Sequence, residues 1–133
     1  MGAEVIKVER PKEGDSGRAH AYVLPGNTSG YYMQQNMGKQ GLCINLRDKR
    51  GLELMHKLTD SADVFVENYR PGQLEKLGLG PEVLHAVNPR LVIARVSGYG
   101  QDGPYRDKPA FGAIGEAMGG IRHLTGHPSG ASD

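Results

Sequence analysis

Cysteine occurs once in the 133-residue chain, tryptophan not at all and phenylalanine twice. The single thiol, Cys43, excludes an internal disulfide framework and a multi-cysteine metal site within one chain. It fits a reducing, cytoplasmic compartment. One-sign charge is equally scarce. Sixteen Lys and Arg against 15 Asp and Glu leave a net charge of +1, too little field for non-specific nucleic-acid or membrane binding. No apolar run approaches the ~20 residues needed to cross a bilayer, and the N-terminus lacks the basic-then-apolar layout of a signal peptide. Neither nucleic acid nor membrane is therefore an expected partner. Glycine is abundant, at 20 residues with 8 prolines, but spread without a three-residue period, which excludes collagen and linker-like tracts.

Residues 3–9 carry the β-branched content of a strand in Val5, Ile6 and Val8. Residues 10–41 are rich in glycine, proline, Asp and Asn, and read as about thirty residues of functional or partner-ordered loop. A second strand is predicted over 42–47. Asp48 then caps a helix with Leu52, Met55, Leu58 and Thr59 at helical spacing. Residues 63–68 read as a short buried strand, and Pro71-Gly72 opens a short helix that Gly78 and Gly80 end. Pro81 stands at the first position of another helix carrying Val83, Leu84 and Val87. A strand over 91–96, a glycine-rich turn and a helix weakened by Gly112, Gly115 and Gly119 over 110–119 complete the order. Strands alternating with helices predict an α/β layer fold with a mostly parallel sheet. Ligands in such sheets bind outside the carboxyl ends of the strands.

Those strand ends hold the candidate chemistry. Glu67-Asn68-Tyr69-Arg70-Pro71-Gly72 offers an amide, a stacking ring and a guanidinium suited to phosphate, or else a turn whose Asn and Pro-Gly set only geometry. Ser97-Gly98-Tyr99-Gly100-Gln101-Asp102-Gly103 matches G-x-G-x-x-G literally, but Pro104 and Arg106-Asp107-Lys108 follow where an apolar helix is needed. Arg10, Lys39, Arg47, Arg70 and Lys76 are candidates to line an anionic-ligand groove, with solvated surface charge as the alternative for each. His20, His56, His85, His123 and His127 form no familiar metal-ligand spacing, so no metal is expected. Cys43, mid-strand with no activator in view, reads as a small buried hydrophobe.

Taken in order, several motifs resemble one family: Gly2 to Pro11 followed by Gly14-Asp15 and Arg18, Asn36-x-Gly38-Lys39 leading to Leu42–Arg47, Ala62 to Gly72, Leu77-Gly78-Leu79, Asn88-Pro89-Arg90, and Ser97 to Tyr105. The chain is similar throughout to the family III CoA-transferases, the CaiB/BaiF family that includes formyl-CoA transferases. The resemblance implies a Rossmann-like, mostly parallel sheet with flanking helices, forming part of the large domain of an interlocked homodimer. It implies an enzyme moving coenzyme A between an acyl-CoA and a small carboxylic acid through an aspartyl-CoA intermediate.

Residue by residue, the resemblance places Arg10 near the adenine–ribose end of CoA and Ile44 and Arg47 beside the nucleotide. It places Asn68, Tyr69 and Arg70 in the loop covering CoA, with Lys76 and Leu77 on the following short helix. Lys108 stands one place before the position of a CoA-contacting lysine, which Pro109 occupies here. The family's first strand and its nucleophilic aspartate are expected outside residues 1–133, so the chain reads as a partial large domain, inactive by itself. Asp133 does not sit in the aspartate motif and is not read as catalytic. Related racemases carry a proton-moving histidine where this chain has Phe111, which favours the transferase branch. The alternatives are a CoA- or nucleotide-binding fragment without activity, a racemase relative, or a non-functional gene product.

Overall fold

The computed structural model describes residues 2–125; His127 and Asp133, weighed above, lie outside them. The chain forms two compact units that divide after Leu58. In the first, strand β1 (Ile6–Glu9) pairs in parallel with β4 (Gln40–Cys43), Ile6 opposite Gln40 and Glu9 opposite Cys43. Between them the expected loop is largely structured. It holds a 3₁₀ turn (Ser16–Ala19), a two-residue hairpin of β2 (Val23–Leu24) with β3 (Thr28–Ser29), and helix α1 (Gly30–Asn36). Polar caps make these short pieces possible. The Asp15 side chain accepts from the Gly17 amide at 2.7 Å, and Ser29 Oγ from the Tyr32 amide at 3.0 Å.

The second strand stops earlier than the apolar alternation suggests. Asn45 Oδ1 takes the Arg47 amide at 3.1 Å, turning the chain away from the ladder and leaving residues 44–47 outside the strand. Asp48 then caps α2 (Lys49–Ser61) through the Arg50 amide at 2.9 Å. Gly51 lets the helix start tightly against the turn, because a Cβ there would stand 2.0 Å from the Asn45 carbonyl oxygen. Cys43 corrects its reading: it is exposed.

In the second unit, β5 (Val64–Glu67) and β6 (Val92–Arg95) form another parallel pair, with Glu67 opposite Arg95 at the carboxyl ends. Helices α3 (Gln73–Lys76) and α4 (Pro81–Val87) lie between them in sequence, and α5 (Gly112–Met118) and α6 (Ile121–Thr125) follow. The core is aliphatic: Leu74, Leu79 and Leu84 are fully buried and Leu91 nearly so. Helix α3 ends at Gly78 (φ 75°), where Leu79 N donates to Leu74 O and Gly78 N to Glu75 O, both at 3.0 Å. Asn88, also buried, directs its Nδ2 to the carbonyls of Thr59 (3.0 Å), Asp60 (3.3 Å) and Ala62 (2.8 Å), closing the end of α2. The strand over 63–68 was expected to be buried. Instead Val64 and Val66 are 54% and 68% exposed, since no described element covers that face.

The α/β alternation and parallel pairing follow the sequence reading. Among the described residues, however, the pairing occurs as two separate parallel ladders and a hairpin. No helix of the described residues is long and apolar enough to cross a membrane.

Candidate functional site

The carboxyl ends of β5 and β6 meet at a salt-bridged knot. Arg95 Nε donates to Glu67 Oε1 at 2.7 Å, and Arg95 Nη1 to Glu75 Oε1 at 2.8 Å. Glu67 turns its other oxygen to the Tyr69 amide at 2.6 Å. Glu67 and Arg95 have only 3% and 14% of their side chains exposed, whereas Glu75 keeps 43%. The hydrogen bond from Arg95 holds the Glu75 carboxyl below its ordinary range, and the Glu67 carboxylate raises the Arg95 guanidinium. From this knot the chain leaves as Asn68-Tyr69-Arg70, all exposed, and turns through Gly72 (φ 80°) into α3.

The facing wall comes from the segment after β6. Gly98 is required by close packing, because a Cβ there would lie 1.9 Å from Ala110 Cβ. Ser97 Oγ donates to the Gly100 carbonyl at 2.9 Å and accepts from Gln101 at 3.3 Å, which sets the glycine-rich turn. Tyr99 and Tyr105 pack edge to face at 5.5 Å, and Lys108 Nζ rests 3.8 Å from the centre of the Tyr105 ring.

Between the two segments lies an open cavity of about 770 Å³. Arg70, Lys76, Arg106 and Lys108 line it, against one carboxylate, Asp107. Asp107 pairs loosely with Arg106 at 3.4 Å and is 78% exposed. Among the described residues, Arg70, Lys76 and Lys108 make no ion pair. The cavity therefore presents unneutralised positive charge beside the Asn68 amide and the rings of Tyr69 and Phe111. Such a lining suits a phosphorylated ligand with a stackable part.

Of the residues singled out from sequence, the structure brings together Asn68, Tyr69, Arg70 and Lys76 on this cavity. Leu77 follows Lys76 at the end of α3, partly buried and outside the lining. Arg10, Ile44 and Arg47 belong to the first unit. There Ile44 N donates to Glu9 O at 3.0 Å, so Arg10 and Ile44 leave neighbouring strand ends. Arg10 and Arg47 are exposed, whereas the Ile44 side chain is 4% exposed. Sequence reasoning missed Gln73 and Arg106 as lining residues and missed the ion pairs that Arg95 makes with Glu67 and Glu75. Among the described residues no His, Cys, Asp and Glu cluster of metal-site size occurs.

Parallel α/β pairs with a cationic cavity at their carboxyl ends have the arrangement in which α/β sheets take ligands, and the charge suits an anion. A sequence profile described as CoA-transferase family III matches residues 1–132, and the chain belongs to that family. It is 52% identical over 131 residues to a succinyl-CoA–D-citramalate CoA-transferase of Chloroflexus aurantiacus, covering 96% of this chain and 32% of that one. It is 39% identical over 130 residues to the human succinyl-CoA:glutarate CoA-transferase, covering 98% and 30%. The fold matches a crystal structure of a CAIB/BAIF family protein from Brucella suis at a TM-score of 0.85 and 39% identity, over 96% of this chain and 34% of that one. The chain thus spans about a third of the length of the relatives it matches.

Proposed function

We propose that residues 1–133 are part of the large domain of a CoA-transferase, and that the cavity in the second unit holds part of an acyl-CoA. The observation that carries this reading is the set of cations Arg70, Lys76 and Lys108, which make no ion pair among the described residues, lining a cavity beside the carboxyl ends of β5 and β6 in a chain of this family. Asn68, Tyr69 and Arg70 cover the ligand, and Lys76 supplies charge to its phosphates. Leu77, at the end of that helix, takes the CoA-contacting role that the family resemblance assigns it. Arg10, Ile44 and Arg47 take the nucleotide-flanking roles that the family resemblance assigns them.

The reaction exchanges CoA between a thioester and a free carboxylic acid. An aspartate carboxylate attacks the acyl carbonyl and expels the CoA thiolate, leaving a mixed anhydride. The thiolate returns to the aspartyl carbonyl, releasing the donor acid and giving an aspartyl-CoA thioester. The acceptor carboxylate then attacks that thioester, expelling the CoA thiolate and leaving a second mixed anhydride. The thiolate attacks the acceptor acyl carbon of that anhydride to give the new acyl-CoA and restore the aspartate carboxylate. Asp107, the one carboxylate lining the cavity, is solvent-exposed and paired with Arg106, which suits it poorly as this nucleophile. The family resemblance places the nucleophile outside residues 1–133, and on that reading the isolated chain exchanges no acyl groups. Phe111 lines the cavity where a racemase would need a proton carrier, which supports transfer over racemisation. The working form is read as a cytoplasmic homodimer, on the family resemblance and the single cysteine.

In the full-length protein, Asn68→Ala and Arg70→Ala should raise the KM for acyl-CoA about ten- to a hundredfold, the loss of ~1.5–3 kcal/mol expected for a charged phosphate contact. The Arg70 effect should shrink as salt rises. Wild-type CoA affinity in both folded variants would overturn the assignment. A lower melting temperature at unchanged intrinsic affinity would reduce the segment to a structural turn.

A further inference from the structure

We propose that Arg95 is a positioning residue for acyl-CoA binding: by bridging Glu67 and Glu75 it fixes the Asn68–Arg70 loop and the helix bearing Lys76 without touching the ligand. This rests on the reading of the cavity given above. Arg95 is not among the residues lining that cavity, and its side chain is 14% exposed. Its guanidinium nevertheless holds both ends of the binding segment. One arm reaches Glu67 at 2.7 Å, and the other oxygen of Glu67 holds the Tyr69 amide at 2.6 Å. The second arm reaches Glu75 at 2.8 Å, and Glu75 directly precedes Lys76. The exposed Asn68-Tyr69-Arg70 run and the Pro71-Gly72 turn are thus held at Tyr69 and at Glu75 by one side chain on a neighbouring strand. The planar guanidinium presents separate N–H groups to the two carboxylates, a geometry that a lysine ammonium on a flexible stem does not reproduce.

Lys76 itself makes no ion pair among the described residues and stays available on the cavity wall. Adjacent helical side chains do not face each other, so Glu75 bonds Arg95 and leaves the Lys76 ammonium alone.

The test uses the full-length protein, with coenzyme A itself as the calorimetric probe and steady-state KM and kcat for acyl-CoA. Glu75→Gln is the decisive variant, because positioning and simple charge predict opposite signs. Removing a negative charge beside Lys76 would tighten binding of an anion if charge alone mattered. Positioning predicts weaker binding, by about five- to thirtyfold in Kd and KM with kcat within about twofold. Arg95→Met should weaken binding at least as much and speed hydrogen exchange over residues 67–73. Arg95→Lys should restore part of the loss. Lys76→Ala should weaken CoA binding while leaving that exchange at the wild-type rate. If Lys76→Ala weakens binding but Glu75→Gln tightens it or leaves it unchanged, positioning is overturned and the cavity reading stands. If Lys76→Ala and Arg70→Ala both bind CoA as wild type does, the cavity reading falls and this proposal with it. Should Arg95→Met fail to fold, the half-exposed Glu75→Gln still decides the sign.

Discussion

Glu9 is the most strongly perturbed carboxylate in the first unit, and its replacement by glutamine tests how that unit is held. The Glu9 side chain, 5% exposed, accepts from Arg18 Nε at 2.9 Å and Nη2 at 3.1 Å, and from the Asp15 amide at 3.0 Å. The Tyr32 hydroxyl donates to it as well. The Arg18 hydrogen bonds, opposed by burial and reinforced by Tyr32 and the Asp15 amide, hold its carboxyl at about 2 instead of the ordinary 4.5. At ~1.4 kcal/mol per pH decade this difference is worth about 3 kcal/mol, and allowing for water at the half-open Arg18 we take ~2–3 kcal/mol. Because the folded value is depressed, the contribution is complete above 4.5 and is lost as pH falls from there toward about 2. Asp15, held low by its hydrogen bond from Lys7, loses stability in the same direction. Native-state hydrogen exchange of the Asp15 and Gly17 amides in the full-length protein reads the local opening energy. At about pH 7, Glu9→Gln should cost ~2–3 kcal/mol of protection, and near pH 2.5 the two proteins should converge to within ~1 kcal/mol. Parallel pH profiles for wild type and Glu9→Gln across that range would refute the reasoning.

Asn88→Asp replaces a donor to three carbonyls with an acceptor. It should cost ~2–3 kcal/mol by denaturant titration, at least as much as Asn88→Ala. Gly98→Ala should lower the melting temperature and raise the KM for acyl-CoA, since its Cβ meets Ala110 Cβ at 1.9 Å and overpacking of this kind costs ~1–3 kcal/mol. Adding Ala110→Gly to Gly98→Ala should recover part of both effects, and a purely additive double variant would show that the contact is not the cause.

Elements whose signals are local were legible. Helix α2 has its cap at Asp48 and its inward-facing period in Leu52, Met55 and Leu58/Thr59, and α4 has Pro81 at its start. Residues 10–41 were opaque for the opposite reason. What orders them is Glu9 reaching Arg18 and Tyr32, at sequence separations of 9 and 23, and Lys7 reaching Asn36 across 29. No window of propensity contains such partners. The early end of β4 turns on one Asn45 side chain bonding its own neighbour, a competition that apolar alternation does not reveal.

Asn68, Tyr69, Arg70 and Lys76 could be singled out because each follows a strand end or sits on the next short helix, where α/β sheets place ligands. Arg95 carried no such signal. It closes an otherwise apolar strand, and a lone charge there reads as a solvated edge. Its role becomes visible only with the register, which sets Glu67 opposite Arg95. That register was half-written in the sequence. Val64-Phe65-Val66-Glu67 and Val92-Ile93-Ala94-Arg95 are both three apolar residues closed by a charge, and the charges have opposite signs. Aligned end to end as neighbouring parallel strands, the two segments place the acid and base together at the carboxyl edge. Both side chains are largely desolvated there, and breaking such a pair would leave an uncompensated buried charge. A pair at that edge is suited to hold the loop that leaves it, as the Glu67 bond to the Tyr69 amide shows.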